Sequence, residues 1–345
     1  MSPKSKIVFL YSEIAGYFVA CAEALSKDAD VLIVRWPINA EAPFKFDLSD
    51  NITIVEKDNY SYNKLQALIH DFKPDKIICS GWMDKDYLKI VKSFKKKIPA
   101  ILTLDNHWKG GLKQHIASLI SPLVFKTKFT HAWVPGTPQT NFAIKLGFKS
   151  IISGFYCADV NLHAQNFDKN NIQPIKQFLY VGRYVKHKSI YEMWQAFIEV
   201  IEEENITDWE MICVGTGEEW DNKIEHEKIK HIGFVQPKDL RAFVVKKPIY
   251  VLPSSFEPWG VSVQEFAIAG CPLIISNVVG AAESYVKENE NGILVEPTKA
   301  SLKAGFLKMM NKSDETLKKM SLKSNELGMS YTPDDWASKL LSIQL

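Results

Sequence analysis

The chain has 345 residues, more than one average domain needs and enough for two, each with its own core. A hydrophobic fraction of 46%, with 24% charged residues and a net charge of +2, excludes a disordered, fibrous or strongly polyionic protein. Five widely spaced cysteines, Cys21, Cys79, Cys157, Cys213 and Cys271, show neither CxxC spacing nor zinc-type histidine partners, so buried reduced thiols are expected rather than a disulfide framework or metal site.

In chain order, the amino-terminal half alternates short apolar runs with amphipathic stretches. Strands are predicted at 7–11, 30–35, 52–56, 76–79, 100–104 and 132–134, with helices such as 18–25 and 62–72 between them. A stretch without periodicity, roughly 153–177, reads as a linker. The pattern then restarts with strands at 178–181, 210–214, 231–233, 249–252 and 272–275, and helices at 190–203, 261–269 and 301–310. A last amphipathic helix containing Trp336 is expected near the carboxyl end. Such alternation implies parallel sheets covered by helices, and two doubly wound domains in series imply a ligand cleft at the carboxyl ends of their strands. The apolar run after Met1 is too short for a signal-peptide core or a membrane span, so a cytoplasmic protein without an anchor is expected. Residues 1–155 carry 21 Lys and Arg against 14 Asp and Glu, and the remainder 21 against 26. The basic half, including Lys92, Lys95, Lys96, Lys97, Lys109, Lys113, Lys126 and Lys128, is either a solvated surface or a face for an anionic membrane or acidic acceptor. Trp108–Phe129, with lysines around the apolar ISPLVF, is the stretch best suited to peripheral membrane contact.

Motifs with chemical content lie mainly in the second half. In FLYVGRYVKHKSIYEMWQAF a strand runs into Gly182 and Arg183, and Lys188 opens the next helix; two cations at a strand end suit a diphosphate. VGTGEEW, 214–220, is a strand-end glycine turn. In PSSFEPWGVSVQEFAIAGCP a strand is followed by Glu257, Gly260 and a helix bearing Glu265. The amides of Gly260, Val261 and Ser262 at that helix start would face a phosphate or polar sugar, and Glu265 would accept from vicinal hydroxyls. The alternative is structural, with Glu257 merely complementing the helix dipole. In the first half, Gly16 stands just ahead of the 18–25 helix and by itself reads as a turn glycine. After the 100–104 strand stand Asp105, Asn106 and His107, and Trp82 and Trp108 are either sugar-stacking or core aromatics. Two Asp-x-Asp strings, at 28–30 and 84–86, are read as chance pairs of acids.

The ordered combination of GR…K, the Glu-x7-Glu string EPWGVSVQE, FAIAGCPLIIS and VVGAAESYVKENENGILVEP resembles the carboxyl-terminal signature of family 4 retaining glycosyltransferases, over essentially all of 176–297. The resemblance implies a GT-B fold, two Rossmann-like domains facing across a cleft: 1–155 on the acceptor side, 156–325 binding the nucleotide sugar, and a helix in 326–345 packing back towards the first. It implies transfer of a hexose-type sugar with retention from a nucleotide diphosphate, UDP- or GDP-linked, to a hydroxyl of a glycan or lipid-linked acceptor. Arg183 and Lys188 would bind the diphosphate, Glu257 would sit beside the donor sugar, and Glu265 would bind the ribose. Gly16, Gly182, Val235, Gly260, Val261 and Ser262 would complete the binding site. Ser189 replaces the usual glycine of the family's string. Where relatives place a histidine, Asp105 occupies the apparent equivalent position, with His107 as the alternative. No cofactor and no metal are expected, because the cations supply the charge a metal would bring. A nucleotide-sugar 2-epimerase and a non-catalytic nucleotide-sugar scaffold are the competing readings; a nucleic-acid role fits poorly, since the basic residues are dispersed.

Overall fold

A computed structural model describes residues 4–37, 48–94 and 97–345; Lys95 and Lys96 of the basic stretch lie outside the described residues. The chain divides into two compact units, Met1–Asp159 with Tyr331–Leu345, and Val160–Ser330.

The first unit carries seven parallel strands, β1 (Ser5–Leu10), β2 (Ala29–Arg35), β3 (Ile52–Glu56), β4 (Lys76–Ser80), β5 (Ala100–Thr103), β6 (His131–Val134) and β7 (Ile151–Ser153), in the order β3-β2-β1-β4-β5-β6-β7. These strands are nearly continuous apolar runs because both faces of the sheet are buried. Alternate residues feed opposite cores. Ile7, Phe9, Val31 and Ile33 join one cluster, and Val8, Leu10, Leu32 and Val34 join the other, as the two-residue period of a strand requires. The carboxyl-terminal helix Pro333–Leu341 belongs to this unit. Thr332 and Asp335 form a reciprocal capping box at its start. Trp336 stacks on Trp133 with centroids 4.8 Å apart, and its indole N–H donates to the Phe155 carbonyl at 2.7 Å.

The second unit carries six parallel strands, β8 (Gln177–Val181), β9 (Glu210–Val214), β10 (Ile229–Ile232), β11 (Ile249–Leu252), β12 (Leu273–Ser276) and β13 (Gly292–Val295), in the order β10-β9-β8-β11-β12-β13. Its core packs Trp194, Phe178, Phe197 and Phe306 on the sheet. Both sheets are doubly wound. The strand order reverses between β1 and β4 in the first and between β8 and β11 in the second, which is where such folds bind ligands.

Three local expectations need correction. The stretch 153–177 is not wholly irregular: β7 ends at Ser153 and a short helix spans Val160–Ala164. The strand expected at 231–233 runs from Ile229 to Ile232. Lys188 does not open a helix; it closes a short 3-10 turn, Lys186–Lys188, and Ser189 separates it from the helix Ile190–Glu203.

Candidate active site

In the second unit, the segments leaving β8 and β11 are stitched together at the strand-order reversal. The amides of Ser255 and Phe256 donate to the His187 carbonyl at 2.9 and 3.4 Å, and the Ser255 hydroxyl donates to the same oxygen at 3.1 Å. This lacing brings Lys188 onto Glu257, whose Oε2 accepts from the lysine ammonium; both side chains are largely buried. The Glu257 carbonyl in turn accepts from the Gly280 amide at 3.3 Å, fixing the acid against the loop after β12. Glu257 stands just ahead of the helix Val261–Ile268, whose own first turn holds no acid.

That helix begins at Gly260, in the left-handed region at φ 89°, with no side-chain cap. A Cβ at Gly260 would lie 3.1 Å from both the Glu257 Cγ and the Val279 Cγ1. The uncapped start leaves amides of Val261 and Ser262 suited to an anion or to hydroxyl oxygens. The Ser262 hydroxyl accepts from the Tyr250 hydroxyl at 2.9 Å, a partner supplied by β11. Glu265, one turn deeper, faces His163 at 3.8 Å.

Arg183 leaves β8 with an exposed side chain, and its carbonyl accepts from the Tyr180 hydroxyl at 2.8 Å. Gly182 donates its amide to the Val214 carbonyl at 3.0 Å; a Cβ on Gly215, which has φ 133°, would fall 2.0 Å from the Gly182 oxygen. Only glycine permits that approach, so the VGTG turn is fixed against the GR segment. Val235 is half-buried beside exposed Phe234. Burial, and then the Lys188 charge, holds His187 below the usual imidazole range.

In the first unit, a cavity of about 400 Å³ opens at the β1–β4 reversal. It is walled by residues following β1, β4 and β5, among them Tyr11, Ser80, Trp82 and Asp105, and by Arg35 from the end of β2. The Ser80 hydroxyl accepts from the Ser12 amide at 3.1 Å across the reversal. The Tyr156 hydroxyl donates to Asp105 at 3.3 Å. Burial raises the proton affinity of both Tyr11 and Tyr156, keeping their hydroxyls neutral donors. The Tyr11 hydroxyl and the Arg35 Nε are buried without a hydrogen-bond partner among the described residues, although the Arg35 guanidinium pairs with Glu56 at 3.0 Å. Buried polar atoms without partners are uncommon and mark places where a ligand can complete the bonding.

The structure separates the two residues between which the sequence left the choice open: Asp105 lines this cavity, while His107 is outside its wall, half-buried, with burial and Lys109 lowering its pKa. Gly16 is the exposed first residue of the helix Gly16–Ser26, where nothing crowds an added Cβ. Trp82 lines the cavity, but Trp108 packs by His115 and Phe142. Asp84 of the second Asp-x-Asp string has structural partners: it accepts from the amides of Asp86 and Tyr87 at 2.9 and 3.1 Å, and pairs with Lys57 at 2.6 Å. Sequence reasoning missed Tyr11, Arg35, Tyr156, His163 and Tyr250. The first two stand at strand carboxyl ends beside the reversal and were open to that argument. The other three reach their partners only through tertiary folding.

Residues 163–326 match the family described as glycosyl transferases group 1. Over 129 residues the chain is 30% identical to an uncharacterized glycosyltransferase of Methanocaldococcus jannaschii, a match covering 35% of this chain and 32% of that relative. The chain spans about a third of the length of the curated relatives it matches. Among solved structures, a glycosyltransferase from Rickettsia africae superposes with a TM-score of 0.75 at 12% identity, over 98% of this chain and 97% of that one. Anabaena HepE in complex with UDP and glucose gives 0.71 at 14% identity, over 98% and 99%. These likenesses are of fold, and that fold is GT-B.

Proposed function

We propose that this chain, whose residues 163–326 match the family described as glycosyl transferases group 1, is a member of it and moves a hexose-type sugar with retained configuration from a nucleotide diphosphate sugar to a hydroxyl acceptor, as in polysaccharide or glycoconjugate assembly. The observation that carries the reading is the second unit's strand-order reversal, where the Lys188–Glu257 pair stands beside an uncapped helix start bearing Glu265. The likeness to a structure holding UDP and glucose supports a UDP-linked donor.

In the reaction the anomeric C–O bond to the diphosphate breaks, the acceptor oxygen bonds to the same carbon from the same face, and its proton passes to a phosphate oxygen. Negative charge grows on the departing diphosphate, so donors already in place lower the barrier most. Arg183, Lys188 and the amides of Gly260, Val261 and Ser262 take that role, with Gly182 allowing close approach of the phosphates. Glu257 holds the lysine ammonium and borders the donor sugar, Glu265 accepts from the ribose hydroxyls, and Val235 borders the base. These cations provide the charge neutralisation a divalent ion would supply, so full activity in chelator is expected. The first-unit cavity takes the acceptor, with Asp105 and the unpartnered Tyr11 and Arg35 atoms binding its polar groups.

The test is a thermal-shift series with UDP-, GDP- and dTDP-sugars, followed by hydrolysis assays on any that bind. A ligand at about a hundred times its dissociation constant stabilises by about 2.7 kcal/mol. One nucleotide series should raise the midpoint, and Glu265→Ala should remove the rise; no response to any nucleotide would count against the donor site.

A further inference from the structure

The helix Leu112–Phe125 is inside out. It packs Ser121 and Phe125 inward and turns Leu112, Ile116, Leu119, Ile120 and Leu123 to the outside, three of them more than 75% exposed. An amphipathic helix of a soluble fold does the reverse, putting its large apolar residues on the core. The spacing of four, three, one and three places these five side chains on one stripe along a helix about 21 Å long. A contiguous apolar stripe of this kind marks an interaction surface rather than scattered exposed leucines.

Charge identifies the occupant. From Asn106 to Ala158 the chain has no Asp or Glu, and it has six lysines, at 109, 113, 126, 128, 145 and 149. Lys109 and Lys113 stand exposed at the start of the stripe and Lys126 at its end. Beside that end is a cavity of about 680 Å³ lined by Phe125, Phe129, Phe148 and Leu345, together with Lys126 and Lys149. An apolar band bounded by cations and free of acids matches the boundary between anionic headgroups and acyl chains. A second copy of the chain matches it poorly, because an isologous contact would set lysines against lysines. The helix is too short to span a bilayer, and no helix among the described residues is long and apolar enough to do so.

We infer that the helix Leu112–Phe125 docks the first unit on an anionic lipid surface, its leucine stripe lying in the interface and Lys109, Lys113 and Lys126 meeting the headgroups. The site does not depend on the sugar chemistry, and flotation without substrates tests it separately. The whole chain is floated with vesicles of phosphatidylcholine and with vesicles of phosphatidylcholine and phosphatidylglycerol. Binding to the anionic vesicles is expected, with little to the neutral ones. Leu119→Glu combined with Leu123→Glu should abolish it, and Lys113→Gln and Lys126→Gln should each weaken it about fivefold, the loss of one surface charge. Leu322→Glu, on an exposed position of the second unit, should float as the unmodified chain does. Absence of binding to anionic vesicles would overturn the inference, as would unchanged binding by the double glutamate variant. A dimer abolished by that variant, in a protein that ignores vesicles, would assign the stripe to a second copy instead.

Discussion

Lys188 and Glu257 come from segments 69 residues apart, and each needs the other to be tolerated away from water. A partly buried ion pair of this kind contributes modestly to stability, because desolvation offsets much of the attraction. Its placement holds a cation between two strand ends, where the proposed reaction puts the departing diphosphate. Lys188→Ala is therefore expected to lower kcat about a hundredfold to a thousandfold, the usual cost of one preorganised donor, and to lower the thermal midpoint as well, because the Glu257 carboxylate is left without its partner. The double variant Lys188→Ala with Glu257→Gln, which leaves no orphaned carboxylate, should regain most of the midpoint but not the rate; a rate regained with the midpoint would make the pair structural. Next to it, Ser189 sits at φ 50°, in the left-handed region that disfavours a residue with a Cβ. The family's usual glycine at this position has a conformational reason, and this chain accepts the strain. Ser189→Gly should raise stability by about 0.5–1 kcal/mol, the steric relief less the entropy glycine loses on folding, read from the urea midpoint.

At the level of elements, the helix Val261–Ile268 is set by what packs behind it. Its Ile268 carbonyl accepts from the Asn325 side chain at 2.6 Å, and Gln264 donates to the Gly328 carbonyl at 3.1 Å. Gly328 closes the helix Asp314–Gly328 so tightly against it that a Cβ would stand 2.4 Å from the Ile268 amide nitrogen and 2.8 Å from the Ala267 carbonyl carbon. Main-chain atoms cannot rotate away, so Gly328→Ala must part the two helices. A loss of about 2 kcal/mol is expected, along with weaker nucleotide binding, since Glu265 rides on the displaced helix; an unchanged urea midpoint would refute the clamp. The strands of both sheets were largely legible because buried parallel strands leave continuous apolar runs such as IVFL and IYVL. The glycine–acid–helix motif was legible because loop chemistry and helix start coincide there. The short β7 and the Val160–Ala164 helix were not, since three and five residues give too little periodicity to detect. The stretch 108–129 stood out by its lysines around an apolar run, but which face of the helix Leu112–Phe125 turns outward was not legible, because the apolar spacing reads the same whether the face meets a core or a bilayer.

For the molecule as a whole, histidine burial couples stability to pH in a defined direction. Burial lowers the pKa of His131, and burial aided by a neighbouring lysine lowers those of His107 and His187. At a pH just below the usual value of about 6.5, the unfolded chain binds protons that these folded imidazoles refuse. The stability associated with them is thus complete above about pH 6.5 and is lost as the pH falls from there towards the folded-state values. The thermal midpoint should be lower at about pH 5.5 than at about pH 7.5. Two of the three histidines lie in the first unit, so its unfolding transition should move more if the two units unfold separately. Acidification also adds positive charge to a half that already carries 21 basic against 14 acidic residues, and self-repulsion would act in the same direction. Salt separates the two causes, since screening weakens repulsion between exposed charges but leaves a buried imidazole's desolvation nearly untouched. His131→Gln should therefore remove part of the pH dependence at high ionic strength as well as low. If salt alone abolishes the dependence, or the midpoint is flat across this range, histidine burial is not its source.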